Sequence, residues 1–169
     1  MAVDLTLKGT ATTNRQANPR VLNNPGLGQG AVEQCVYDVL ASVPASLSGT
    51  SIIRLGWVPS NAIITDMRLS SDAQTAGAFD IGVYRTNNDG GAVVSVALFG
   101  SAVSVAAAVV NSDVLNESTT NTLVKQGQRL WQAAGMTVDP KADLDLALTC
   151  TTAVTTGLGA IALRTRFIE

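Results

Sequence analysis

The chain has 169 residues, of which 46% are hydrophobic, 4% are aromatic and 14% are charged, and its net charge is −2. This length suits one domain with a single core, and the weak net charge excludes a strongly electrostatic nucleic-acid binder. Histidine is absent, which removes the usual general base near neutral pH and the commonest metal ligand. Because a typical soluble domain has roughly 25% charged residues, the low content predicts that other chains cover part of the surface.

Residues 1–30 show no sustained hydrophobic period and predict an extended N-terminal arm, with residues 31–169 forming the folded domain. This segment contains two Asn-Pro pairs and the glycines of PGLGQG, which are typical of irregular backbone. A solvated tail is the alternative, but Val21 and Leu22 place apolar side chains between two prolines. The glycines of 26–30 also have the density of a phosphate loop; without a preceding buried strand or a following Lys-Ser/Thr, a flexible joint is favoured.

Strand-like alternation begins near residue 31 and continues through three runs. The first run, residues 34–41, alternates Cys, Tyr, Val and Ala with the intervening side chains. In the second, residues 50–58, we expect Ile53, Leu55 and Trp57 to share one face. A Pro-Ser-Asn turn follows. In the third strand, we expect every second side chain to share one face: Ile63, Thr65, Met67 and Leu69.

The next segment combines a clear strand with a clear turn. In FDIGVYRT, the side chains of Phe79, Ile81 and Val83 share one face. The Asn-Asn-Asp-Gly-Gly sequence at 87–91 predicts a turn, because its residues tolerate positive φ angles.

Residues 92–115 fit either strand or helix, since some of their valines alternate while AVSVAAAVV also suits a helical turn. The uncharged run 90–112 is long enough to span a bilayer. It lacks basic anchors and aromatic belts at its ends, so we favour a buried element of a globular domain and predict no membrane association.

The C-terminal part predicts one short helix and two strands. QRLWQAAG, residues 128–135, is typical of a short helix closed by Gly135. A strand follows with Leu144, Leu146, Leu148 and Cys150 on one face, and AIALRTRFI forms the last strand. Seven or eight short strands without a βαβ rhythm predict an all-β antiparallel sandwich of jelly-roll type with a short helical insertion.

Few side chains suit chemistry. Cys35 and Cys150 are most simply two small buried apolar residues, and a disulfide would require neighbouring strands. Asp139, Asp143 and Asp145 would suit calcium, but a solvent-facing strand gives the same spacing. We therefore predict no catalytic, cofactor-binding or metal-binding residue.

Aromatic and basic side chains in the predicted strands have structural explanations. A sugar-stacking platform is the alternative to core packing for four aromatics, and core packing is favoured. Arg164 and Arg166 fit a solvated strand face; pairing with Asp, or contact with a partner, is the alternative. The four aromatic residues are Tyr37, Trp57, Tyr84 and Trp131.

Several segments resemble small virion proteins of tailed bacteriophages: VPSNAIITDMRLSSDAQTAGAFDIGVY, GGAVVSVALFGSA, VNSDVLNES and LWQAAGMTVDPKADLDLALT. The resemblance runs from about Asn14 to the end and includes jelly-roll capsid decoration, or cement, proteins. It implies a non-enzymatic protein on the outside of the phage head, commonly trimeric, whose partners are the major capsid protein and further copies of itself.

The resemblance implies that the arm clamps neighbouring capsid subunits. A receptor- or carbohydrate-binding module of a head or tail fibre is the alternative. A carboxylate-only hydrolase acting through Asp143 or Asp145 is a third interpretation, disfavoured by the missing histidine. The predicted contact residues of the arm are Arg15, Pro19, Arg20, Val21, Leu22, Asn23, Asn24 and Pro25.

Overall fold

Eight β-strands and one short helix form the regular structure of the described part of the chain, residues 32–45, 47, 49–154 and 159–169 of a computed structural model. A 3-10 turn at Asn87–Asp89 follows the fourth strand, where the sequence predicts a turn. In chain order, the elements are β1 (Glu33–Leu40), β2 (Ile52–Pro59), β3 (Ile63–Ser71), β4 (Ala78–Arg85), β5 (Val93–Ser104), β6 (Val109–Asp113), α1 (Leu130–Ala133), β7 (Asp143–Thr152) and β8 (Ile161–Ile168).

The strands form two antiparallel four-stranded sheets. Sheet I has the order β1-β8-β3-β6, and sheet II has the order β2-β7-β4-β5. The first and last of these strands pair directly, with Glu33 opposite Ile168 and Leu40 opposite Ile161. This is the strand order of an eight-stranded jelly roll, so the predicted all-β sandwich is confirmed.

The core lies between the inner faces of the two sheets. From β7, Leu144, Leu146, Leu148 and Cys150 all point inward, at most 1% exposed, as their alternation predicts. Burying each leucine contributes roughly 1.5–3 kcal/mol relative to an exposed position. On the same sheet, β4 adds Phe79, Ile81 and Val83 to the core, and the inner face of sheet I supplies the facing side chains, among them Met67, Leu69 and Leu163.

A bulge in β2 overturns the predicted face of Trp57. The register with β7 shifts between Arg54 and Trp57, and Gly56 has a φ of 81°. One extra residue in a strand moves every following side chain to the opposite face. Ile53 and Leu55 are therefore buried as predicted, whereas Trp57 is 55% exposed.

A similar irregularity affects β3. Its register with β8 shifts between Ile64 and Asp66. Met67 and Leu69 are buried as predicted, but Thr65 is exposed and donates a hydrogen bond to Glu33 Oε1 over 2.8 Å.

The ambiguous region 92–115 consists mainly of the strands β5 and β6. The turn between them is fixed by Val105, which is fully buried and donates its N–H to the carbonyl of Gly77 over 2.9 Å. Among the described residues, no helix combines the length and the apolar composition that crossing a bilayer requires.

The predicted short helix is present as α1. Its first two N–H groups donate to backbone carbonyls after β2: Leu130 to Ala62 over 2.7 Å and Trp131 to Ser60 over 3.0 Å. Gly135, with a φ of 83°, follows the helix in the left-handed conformation that suits a helix end. The helix thereby ties the segment before β7 to the β2–β3 turn.

Candidate interaction surfaces

Two of the three acidic residues considered for calcium, Asp139 and Asp145, have structural partners instead. Asp145 Oδ2 accepts a hydrogen bond from Arg54 Nη1 over 2.6 Å. Asp139 Oδ1 accepts from Ser60 Oγ over 2.5 Å and from the N–H of Lys141 over 2.9 Å. The hydrogen bond from Ser60, followed by that from Lys141, lowers the pKa of Asp139. In the part of the chain that the structure describes, no three acidic or cysteine side chains group as a metal site would require.

The two cysteines lie in different sheets and are both free. Cys150 is buried in β7, and its burial raises the pKa of its thiol. Cys35 is exposed, so the prediction that both are buried is wrong for Cys35. In the register of β1 and β8 it lies opposite Arg166, on the outward face of sheet I.

The predicted contact residues of the arm lie outside the described residues, and both their role and the boundary of the arm stay predictions. These residues are Arg15, Pro19, Arg20, Val21, Leu22, Asn23, Asn24 and Pro25. The strands and the core belong to a separate unit, Glu33–Glu169.

Charged side chains cover part of the outer face of sheet I. Arg68 Nε donates to Asp66 Oδ1 over 2.7 Å, which is the main cause of the raised pKa of Arg68. Arg164 Nη2 lies 3.8 Å from Asp66 Oδ2, and Arg166 Nη1 lies 3.4 Å from Glu33 Oε2. Arg164 and Arg166 therefore pair with carboxylates across the strands, the alternative considered for them from the sequence.

Beside these charges, the same outer face is apolar. Three side chains are strongly exposed: Tyr37 at 65%, Val39 at 43% and Val110 at 84%. They line a shallow depression of about 280 Å³, and Asp72 is among the other residues that line it. We define the apolar depression by Tyr37, Val39, Val109, Val110, Ala160 and Ala162. Ser70 and Ser71 of β3 also line it, so the depression is formed by β1, β3, β6 and β8, strands that are far apart in the sequence.

The loop between β6 and α1, residues 114–129, presents a second apolar feature. Leu123 and Val124 are 84% and 79% exposed, and we call this pair the apolar tip. Side-chain hydrogen bonds hold the loop below the tip: Ser118 Oγ donates to the carbonyl of Ala97 over 2.6 Å, and Gln126 Nε2 donates to Asn116 Oδ1 over 2.8 Å. The tip was not predicted from the sequence, although a signal for it is present: two adjacent large apolar residues in a loop rich in Thr and Asn.

The exposed aromatic side chains do not form one platform. Tyr37 and Trp57 are exposed, so the core position predicted for them is wrong. They belong to β1 and β2, strands of different sheets, and each points to the outside of its own sheet. Tyr84 is buried as predicted, and its hydroxyl lies 2.6 Å from Thr149 Oγ1. Trp131 is half-buried.

Comparison with known proteins found a similarity of fold. No known protein family matches the chain, and no curated protein matches it in sequence. The chain is similar in fold to a chain of the structure described as "Cyanophage Pam1 capsid asymmetric unit". The similarity has a TM-score of 0.56 at 18% identity and covers 95% of this chain and 99% of that chain. At this identity, the likeness concerns the fold.

Proposed function

We propose that this protein is a non-enzymatic virion structural protein, a capsid decoration or cement protein that binds the outer surface of a phage head and braces neighbouring major capsid proteins. The observation that carries the proposal is the similarity in fold, over 95% of this chain and 99% of the other, to a chain of a cyanophage capsid structure. It agrees with the resemblance of the sequence segments to phage virion proteins.

The surface of the sandwich supports a role in assembly. Scattered single apolar residues are normal on a monomer, but contiguous apolar patches mark contact sites. Here Tyr37, Val39 and Val110 lie together around the apolar depression, and Leu123 and Val124 form the apolar tip. Charged residues make up 14% of the chain, about half the usual share. Such a surface suits a protein that works within an assembly.

Residues 1–30 supply the proposed attachment to the head. This segment has a charge balance of +2, whereas the remainder of the chain has −4. Val21 and Leu22, between two prolines, provide apolar contacts, and Arg15 and Arg20 provide charged ones. Three such arms in a homotrimer would multiply weak individual contacts, and cyclic symmetry would match local three-fold positions of a capsid lattice.

The test is co-sedimentation of the purified chain with phage heads that lack it. We expect removal of residues 1–30 to weaken binding at least about tenfold, and Arg20→Glu to weaken it several-fold. Lys8→Glu is the matched control, because Lys8 makes the same charge change outside the proposed contact residues. Binding of the truncated chain as tight as that of the full chain would contradict the clamp.

A carbohydrate- or receptor-binding module of a fibre is the second candidate, favoured by the exposure of Tyr37 and Trp57 at 65% and 55%. Such side chains stack on sugars through their apolar faces. Quenching of tryptophan emission by a host polysaccharide, lost in Trp57→Phe, would favour this function. No change in emission at saturating polysaccharide, together with head binding, would exclude it in favour of decoration.

A further inference from the structure

The apolar depression and the apolar tip lie at opposite ends of the sandwich. The base of the tip, at Lys125 and Gln126, borders a small cavity of about 130 Å³ together with Ile64, near the start of β3. The depression includes Ser71, the last residue of β3. An extended strand from Ile64 to Ser71 spans roughly 23 Å at about 3.3 Å per residue. The loop of 114–129 is tied to Ala97, so the tip does not reach the depression of its own chain.

The two features are both largely apolar and carry opposite charges. The tip projects two adjacent apolar side chains, whereas the depression is a hollow of about 280 Å³ that is lined by apolar side chains together with Ser70, Ser71 and Asp72. Lys125 follows the tip, and Asp72 is one of the residues that line the depression. Neither has a salt-bridge partner among the described residues. Asp72 accepts a hydrogen bond from the N–H of Ala160 through Oδ2, over 2.8 Å, which fixes its carboxylate beside the hollow.

We propose that the apolar tip of one copy of this chain occupies the apolar depression of a second copy, with Lys125 facing Asp72 across the contact. Because the two contacting patches differ, the interface is heterologous, and repetition of the same step forms a ring where its rotation closes. The inference deepens the proposed function by naming the residues of self-contact. It does not require a phage head, because two copies suffice to form the interface.

The first experiment measures the molar mass of the full chain by sedimentation equilibrium over a range of concentrations. We expect a cyclic oligomer of three or more copies. Leu123→Asp and Val110→Asp should each raise the dissociation constant at least about tenfold, because each places a charge in the apolar contact. Lys125→Glu should weaken association several-fold, and less in 1 M salt, where charges are screened.

Val138→Asp is the matched control, since Val138 is also strongly exposed, at 72%, but belongs to neither patch. Leu123, Val110 and Val138 are strongly exposed and Lys125 is half-buried, so thermal unfolding should show each variant folded. A monomeric wild-type chain, or an oligomer that Leu123→Asp leaves intact, would overturn the proposal.

A mixing experiment tests the heterologous geometry. The Val110→Asp variant keeps an intact tip, and the Leu123→Asp variant keeps an intact depression. We expect the two variants to form a one-to-one dimer when mixed, although neither associates alone. A mixture that stays monomeric would overturn the proposal, because one complete tip-and-depression contact should still form.

The same experiments distinguish two other possible occupants of the depression. If removal of residues 1–30 dissociates the oligomer while Leu123→Asp does not, the N-terminal segment occupies the depression and the proposal is wrong. If Val110→Asp abolishes head binding and leaves the mass unchanged, a capsid protein occupies it, and the proposal is equally wrong. If the chain forms a ring that does not bind phage heads, this inference holds and only the decoration function is refuted.

Discussion

At Gly82, the backbones of β4 and β5 approach each other too closely for a side chain. A Cβ atom at this position would lie 2.1 Å from the carbonyl oxygen of Ser95 and 2.2 Å from that of Val96. Both atoms belong to the backbone of β5, so they cannot turn aside as a side chain would. We predict that Gly82→Ala lowers the free energy of unfolding by roughly 3 kcal/mol, measured by urea denaturation.

Gly90→Ala is the control for Gly82. Nothing lies within 4 Å of a Cβ built at Gly90, and its φ is 79°. We expect Gly90→Ala to lower the free energy of unfolding by only about 1 kcal/mol, the cost of a left-handed backbone for a residue with a Cβ atom. Equal losses for the two variants would show that close packing against β5 is not what requires glycine at residue 82.

Arg54 ties β2 to the far side of sheet II. Its Nη1 donates to Asp145 Oδ2 over 2.6 Å and to the carbonyl of Arg85 over 2.8 Å, and its Nη2 donates to the carbonyl of Gly91 over 2.9 Å. The guanidinium also lies 5.4 Å from the ring centre of Tyr84. Arg54→Ala leaves the half-buried Asp145 carboxylate unpaired, so we predict a loss of about 2 kcal/mol in the free energy of unfolding.

Arg85→Ala is the matched arginine control. The Arg85 and Asp89 side chains are 36% and 50% exposed, and exposed pairs contribute less than about 1 kcal/mol. Urea denaturation of both variants compares the two. A loss for Arg54→Ala as small as that for Arg85→Ala would contradict the proposed tie between strands.

Asp139 gives the stability a defined pH dependence. Hydrogen bonds from Ser60 and Lys141 lower its pKa below the ordinary value of 3.8. A lowered folded-state pKa contributes stability above the unfolded pKa, and that stability is lost as the pH falls through the folded value. Ser60→Ala removes one of the hydrogen bonds to the Asp139 carboxylate, so we predict that its stability falls less in acid than that of wild type. The melting temperature of the variant should be lower than that of wild type at pH 6 and should approach it in acid. A difference that stays constant down to about pH 2 would contradict this assignment.

At the scale of elements, the β2 bulge at Gly56 turns the side chain of Trp57 toward solvent. Trp57 is 55% exposed, whereas Trp131 on the α1 side is half-buried. We predict that Trp57→Phe removes most of the iodide-quenchable tryptophan emission and changes the free energy of unfolding by less than about 0.5 kcal/mol. Trp131→Phe is the control and should leave the quenchable fraction in place. A large loss of stability in Trp57→Phe would place Trp57 in the core after all.

At the scale of the whole molecule, the described core is contained in the sandwich. The members of the described core cluster run from Val43 to Phe167, and Glu33–Glu169 forms one unit. We predict that a chain lacking residues 1–30 folds cooperatively with a melting temperature within a few degrees of the full chain. Calorimetry of the two chains checks this. A truncated chain that does not fold would place part of the core within residues 1–30.

Much of this molecule could be predicted from local patterns. The inward face of β7, the turn at 87–91, the short helix ending before Gly135 and the jelly-roll class were all predicted correctly. Cys35, Trp57, Tyr37 and Thr65 were placed wrongly. Cys35 and Tyr37 belong to a strand at the edge of sheet I, whose outer face is uncovered. Trp57 and Thr65 lie at bulges, where period-two alternation loses its register.

The amino-acid sequence by itself determined the all-β class and most strand positions, because side-chain alternation and turn residues act between near neighbours in the chain. Only the tertiary structure decided the strand order, the bulges and the two apolar surface features. The depression brings together residues of β1, β3, β6 and β8, from Tyr37 to Ala162. Such contacts depend on the pairing and register of distant strands, which no local pattern specifies.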